Sequence, residues 1–212
     1  MNIAKLACLV LVVALVGSLA ANASEGAKRV KMNAIKELKD GNKRFVEGKL
    51  VHPDQDKARR DEIAASQHPK AIVLSCSDSR VPPEIIFDQG LGDLFVVRVA
   101  GNVLNDENLG SIEYAVGYLG VKDIVVLGHS RCGAVTAAVN AHDAEGHVKS
   151  VLHAIKPAVE EAKKTCKDSN LVESTAHHNV KLAVKEIRSH FKGVNVVGAY
   201  YDLDTGKVEF WD

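Results

Sequence analysis

The sequence predicts an α/β fold, a mostly parallel central β-sheet flanked by helices and preceded by an N-terminal helical arm. Three observations carry this. Ala71-Ile72-Val73-Leu74, Phe95-Val96-Val97, Ile124-Val125-Val126-Leu127 and Val194-Asn195-Val196-Val197 are short β-branched or aromatic runs without strict apolar-polar alternation, the pattern of strands covered on both faces. Stretches with helical spacing lie between them, and strand-helix-strand alternation favours a sheet built by right-handed crossovers. Two chemistry-bearing stretches, Cys76-Ser77-Asp78-Ser79-Arg80 and His129-Ser130-Arg131-Cys132, each follow the end of such a run. Open α/β sheets gather ligands beyond the carboxyl ends of their strands.

Taken in order, Met1 to Ala23 reads as a secretory signal: Lys5 supplies the positive start, Leu6 to Ala20 the apolar run, and Ala21-Asn22-Ala23 a small-x-small cleavage site. A retained anchor is the competing reading, but the run is short for a spanning helix of about 20 residues. Cleavage would leave one domain, residues 24–212, exported to the periplasm or beyond the cell. Lys plus Arg and Asp plus Glu balance at 27 each in the whole sequence. Losing Lys5 leaves the mature chain close to neutral, with no charge excess that would draw nucleic acid or an acidic membrane.

Arg29 to Gly48 places Val30, Ile35, Leu38 and Phe45 at helical spacing, with Gly41 as a weak point. Pro53 and its polar neighbours read as a loop, Asp61 to Gln67 as a short helix, and Arg59-Arg60 as a solvated helix face. Further helices are expected over Leu109 to Leu119, Ala134 to Ala141, Val148 to Lys164 and Val180 to Phe191. Val208 to Trp211 completes the sheet, joined to Ala199-Tyr200-Tyr201 through the turn signal Asp204-Thr205-Gly206.

Two cysteines and a histidine are three of the four ligands of a tetrahedral zinc site, and three protein ligands with one open position is the catalytic arrangement. Cys76, His129 and Cys132 supply that set. The competing reading makes the cysteines small buried hydrophobes and His129 a capped loop residue. The apolar sequence between the two stretches is enough for a core of its own, so a metal here would not be needed to hold a small fold together. Cys166 has no motif around it and reads as a thiol outside the site.

Cys-Ser-Asp-Ser-Arg followed by Gly-His-Ser-Arg-Cys-Gly resembles the zinc-binding signature of the β-class carbonic anhydrases. The resemblance extends to Leu38 to Phe45, Val96 to Asn102 and Ser111 to Ala115. It implies a β-carbonic anhydrase-like fold, Zn2+ as cofactor, and reversible hydration of carbon dioxide to bicarbonate and a proton by zinc-bound hydroxide. It also implies that Asp78 orients the hydroxide while Arg80 grips Asp78, with Asp78 a metal ligand only in a closed, inactive state. Gln67, Phe95, Ala100, Tyr114 and Gly133 match the substrate pocket, Tyr114 reaching across from a partner in a homodimer or homotetramer. His142, His147, His177 and His178 read as solvated side chains, and no proton shuttle is assigned. Two other functions stay open on the same site: hydrolysis of carbonyl sulfide or carbon disulfide, and zinc binding without turnover.

Overall fold

Every residue of β1 (Ala71–Ser75) is buried. It lies between β2 (Leu94–Arg98) and β3 (Asp123–His129), both parallel to it, and β4 (Asn195–Tyr201) continues the parallel run. The antiparallel strand β5 (Val208–Trp211) completes the order β2-β1-β3-β4-β5. The computed structural model describes residues 34–140, 144–166 and 170–211. The leader 1–23, the proposed domain start at 24, Val30 and His142 lie outside the described residues.

Seven helices are described: α1 (Ala34–Val46), α2 (Lys57–Ile63), α3 (Pro83–Ile86), α4 (Asp106–Gly117), α5 (Gly133–Val139), α6 (Val148–Thr165) and α7 (Leu171–His190). Register divides their work. Val73 stands opposite Val125 and Leu74 opposite Val126, so residues of like parity share a face. Val73, Val125, Leu127, Val197 and Ala199 pack with Leu38 of α1, Ile86 of α3, Phe87, and Ile155 and Val159 of α6. Ile72, Leu74, Ile124, Val126 and Val196 pack with Ile112 and Ala115 of α4 and with Val180, Val184 and Ile187 of α7. Burying each of these larger side chains stabilises the fold by about 1.5–3 kcal/mol.

The structure refines several expectations. The part of the N-terminal helix that is described lies on the sheet: Asn42 donates to the carbonyls of Ile86 and Gly206 and accepts from the Val208 N–H. Gly41 marks close approach, since a Cβ there would come within 1.8 Å of the Phe87 carbonyl oxygen. The second helix starts at Lys57, earlier than Asp61, because Asp56 caps it by accepting from the Arg59 N–H. Arg59 is not on a solvated face. It is buried, donating to the Leu91 carbonyl and to Glu62, with Asp93 beside it. The last helix begins at Leu171, nine residues before Val180, because a polar first half hides its buried Thr175, Ala176 and Asn179. β2 is half-buried over Leu94 to Val96, so that run is an edge rather than a strand covered on both sides.

Candidate active site

β1 and β3 are adjacent and parallel, with Ser75 opposite Leu127, so the residues that follow them emerge at one edge of the sheet. There the candidate ligand atoms of Cys76, His129 and Cys132 lie within 4.8 Å of one another, and all three residues are buried. Two strand ends some fifty residues apart in sequence thus supply one cluster of two sulfurs and a nitrogen.

The histidine is already oriented. Its Nδ1 donates to the Ser130 carbonyl at 2.9 Å, which leaves the lone pair on Nε2, and Nε2 is buried with no hydrogen-bond partner. A buried acceptor without a donor is costly unless something fills that role. Cys76 is prepared as a thiolate: its Sγ accepts from the N–H groups of Gly101 at 3.2 Å and Asp78 at 3.4 Å. Hydrogen bonding from the Cys132 thiol pulls the Cys76 pKa down, against burial and with help from the two N–H groups. Cys132 is pushed up by Cys76 and by burial. The two sulfurs thus share a hydrogen bond that favours the thiolate at Cys76. A divalent ion would meet three donor atoms gathered within 4.8 Å of one another, so the residues fit a metal with one coordination position left open.

Asp78 stands at the rim of this cluster, one carboxylate oxygen 3.9 Å from His129 Nε2. Arg80 holds it in a fork, Nε to Oδ1 at 2.9 Å and Nη2 to Oδ2 at 2.7 Å, and the Arg80 N–H adds a third bond at 2.9 Å. These contacts hold the Asp78 carboxyl well below the ordinary carboxylate range, against burial that raises it. The carboxylate is held ionised by this fork and lies outside the cluster of Cys76, His129 and Cys132.

Residues not singled out as catalytic in the sequence hold the loop in place. Arg98 donates to the Cys76 carbonyl at 3.0 Å and to the Asp78 carbonyl at 2.6 Å, clamping the backbone on both sides of Ser77. Gly101 sits in a 3-10 turn, Ala100–Asn102, at φ +66°, where a Cβ would come within 2.8 Å of Ile155 Cδ1. Its carbonyl accepts from the buried Asn179 of α7. No local motif announces Asn179. Its partner lies 78 positions earlier in the chain.

The pocket residues divide. Ala100 is in the turn that binds Cys76, and Gly133 follows Cys132 at the start of α5. Gln67 is exposed before β1 and is separated from Cys76 by the strand's whole length, about 17 Å at 3.3 Å per residue. Phe95 lies three residues, about 10 Å, before Arg98 on β2. Its ring packs on Tyr114, which is 46% exposed and stacks in turn on the more exposed Tyr118. Within one protomer these three are not brought to the metal cluster.

A family model described as carbonic anhydrase matches residues 71–208, most of the chain and both site loops. The chain belongs to the carbonic anhydrases. A carbonic anhydrase of Mycolicibacterium smegmatis is 45% identical over 188 residues, covering 83% of this chain and 91% of that one. Among solved structures, a β-carbonic anhydrase of Coccomyxa in complex with acetazolamide superposes with a TM-score of 0.67 at 26% identity, covering 80% of this chain and 82% of that one. One of two tetrameric β-carbonic anhydrases of Sordaria macrospora reaches 0.63 at 25% identity, covering 93% and 96%. The sheet order and the flanking helices are therefore those of a β-class carbonic anhydrase, and the enzyme assignment follows.

Proposed function

We propose that this β-carbonic anhydrase catalyses zinc-dependent reversible hydration of carbon dioxide to bicarbonate and a proton, with Cys76, His129 and Cys132 holding Zn2+. The observation that carries this is the convergence of three ligand atoms within 4.8 Å, with an ionised carboxylate gripped at their rim. Zn2+ supplies the acidity that makes water a nucleophile near neutral pH. The chain's own residues do the rest. Asp78 accepts a hydrogen bond from the attacking water and aims its lone pair at the carbon of carbon dioxide. Arg80 keeps both Asp78 oxygens engaged, so the carboxylate does not swing onto the metal. The Gly133 N–H stands ready for the product anion.

Gln67, Phe95 and Tyr114 serve the pocket only if a second copy brings them there. The half-buried edge strand β2 and the exposed pair Tyr114 and Tyr118 support a homodimer, and the Sordaria macrospora tetramers support the same kind of assembly. The apolar leader before Ser24 supports export, most simply to the periplasm, and N-terminal sequencing of the exported protein is expected to begin at Ser24. Among the described residues no helix is long and apolar enough to cross a membrane.

Metal analysis of the purified chain together with stopped-flow hydration across pH tests the central reading. About one zinc per chain and fast carbon dioxide hydration, with far slower turnover of carbonyl sulfide and carbon disulfide, are expected. Purified chain that neither contains nor takes up a divalent ion would overturn it.

A further inference from the structure

α7 carries a second chemistry, away from the metal loops. Lys181, Lys185 and Arg188 recur at i, i+4 and i+7 and so share one face of the helix. With Val184, Gly198 and Trp211 they line a cavity of about 230 Å³ against β4 and β5. The three cations are exposed, and among the described residues none is paired with a carboxylate. Arg188 spends one N–H on the Val196 carbonyl at 2.6 Å, which pins its guanidinium beside the strand and leaves other donors free.

Trp211 supplies the second observation. Its indole Nε1 is buried without a hydrogen-bond partner, and it lies so close over Gly198 that a Cβ there would come within 2.7 Å of it. The indole N–H is a donor and never an acceptor. Glu209, which shares the Trp211 face of β5, acts on His177 and is not among the lining residues. Among the described residues, the side chains that line the cavity thus offer three positive charges and no carboxylate, while Glu161 of α6, which acts on Lys185, lies outside the lining. This is the complement of a polyvalent oxyanion. Gly198, the β4 residue that lines the cavity, stands three residues before Tyr201, which is opposite His129, so the strand sets the cavity about 10 Å back from the edge that carries the metal-ligand candidates.

The geometry points to an anion site in this cavity, distinct from the active site, that takes a small oxyanion of the phosphate class. Trp211 is the sole tryptophan of the sequence, so its emission reports on the site directly and needs no metal. The test titrates the purified protein with inorganic phosphate at constant alkaline pH and constant ionic strength held with sodium chloride. A saturable change in Trp211 emission is expected. The variant Lys181→Ala/Lys185→Ala is expected to bind phosphate about tenfold more weakly or worse, the loss of at least one charge-assisted hydrogen bond. Its metal content, far-UV circular dichroism and carbon dioxide hydration stay unchanged. Bicarbonate, carrying less charge, is expected to bind more weakly than phosphate. No saturable change, an undiminished affinity in the double variant, an equal response to chloride alone, or tighter binding of bicarbonate would each overturn the assignment. If the metal reading failed, this titration would still stand by itself.

Discussion

The loop after β1 and the loop after β3 contribute to one site in different ways. The β3 loop is tied down in its own sheet layer: the Ser130 N–H donates to the Tyr201 carbonyl, and the Ser130 hydroxyl accepts from the Leu203 N–H. Its two candidate ligands, His129 and Cys132, are buried, and its charged residue Arg131 turns outward to the exposed Asp204. The β1 loop also buries its candidate ligand, Cys76, but presents Asp78 and Arg80 at the rim and is held in place by Arg98 and by the turn at Gly101. In the proposed mechanism one loop anchors the metal, and the other both anchors it and supplies the reacting carboxylate. A group that must meet substrate needs exposure, while a group that only binds metal gains from being dry and fixed.

The largest expected effect breaks the anchor. His129→Ala removes the one nitrogen ligand, so metal content in the purified variant is expected to collapse and hydration to fall about 10³-fold or more. If the variant kept stoichiometric metal, the β3 loop would not be the anchor. Next comes the reacting group: Asp78→Ala is expected to keep its metal yet lose about 10²- to 10⁴-fold in kcat, measured by stopped flow. A variant that lost both together would erase the division between the loops.

Arg98→Ala sharpens the comparison, because it removes the clamp on the β1 loop without touching a ligand. A loss of about 10- to 100-fold in activity, with metal retained, is expected from such a supporting contact. A smaller effect separates Arg80 from its charge partner. The depressed Asp78 pKa means that its ion pair stabilises the fold above the ordinary carboxylate pKa of about 3.9, and that this contribution is lost as pH falls through the lower folded value. Urea midpoints of the wild type and Arg80→Ala are therefore expected to differ most at neutral pH and to converge in strong acid. Asp204→Ala, which opens an exposed ion pair on the anchor loop, is expected to leave both the melting temperature and the hydration rate unchanged.

Strand positions were legible because β-branched runs need burial wherever they fall, and the structure buries β1, β3 and β4 along nearly their whole lengths. The edge character of β2 was not, since Phe95-Val96-Val97 reads the same whether or not another strand covers it. Helix starts were missed for a related reason. Asp56 is an ordinary acid until its carboxylate meets the Arg59 N–H, and the polar first half of α7 hides an inward face that only packing reveals. Arg59 reads as a surface cation in sequence and is buried because the Leu91 carbonyl and the nearby carboxylates receive it.

By itself the sequence determined which atoms could bind a metal and which pair could orient water, because sulfur, imidazole, carboxylate and guanidinium chemistry travels with the residue type. Sheet register and packing are what bring two strand ends to one edge, turn Nε2 of His129 inward, and let Arg98, Gly101 and Asn179 hold the loop. They also set Gln67, ahead of β1, and Phe95, on β2, back from the Cys76–His129–Cys132 cluster, with Tyr114 packed on Phe95. Those outcomes depend on distances between residues far apart in the chain, set by sheet register and packing, and no local pattern of residues encodes a distance.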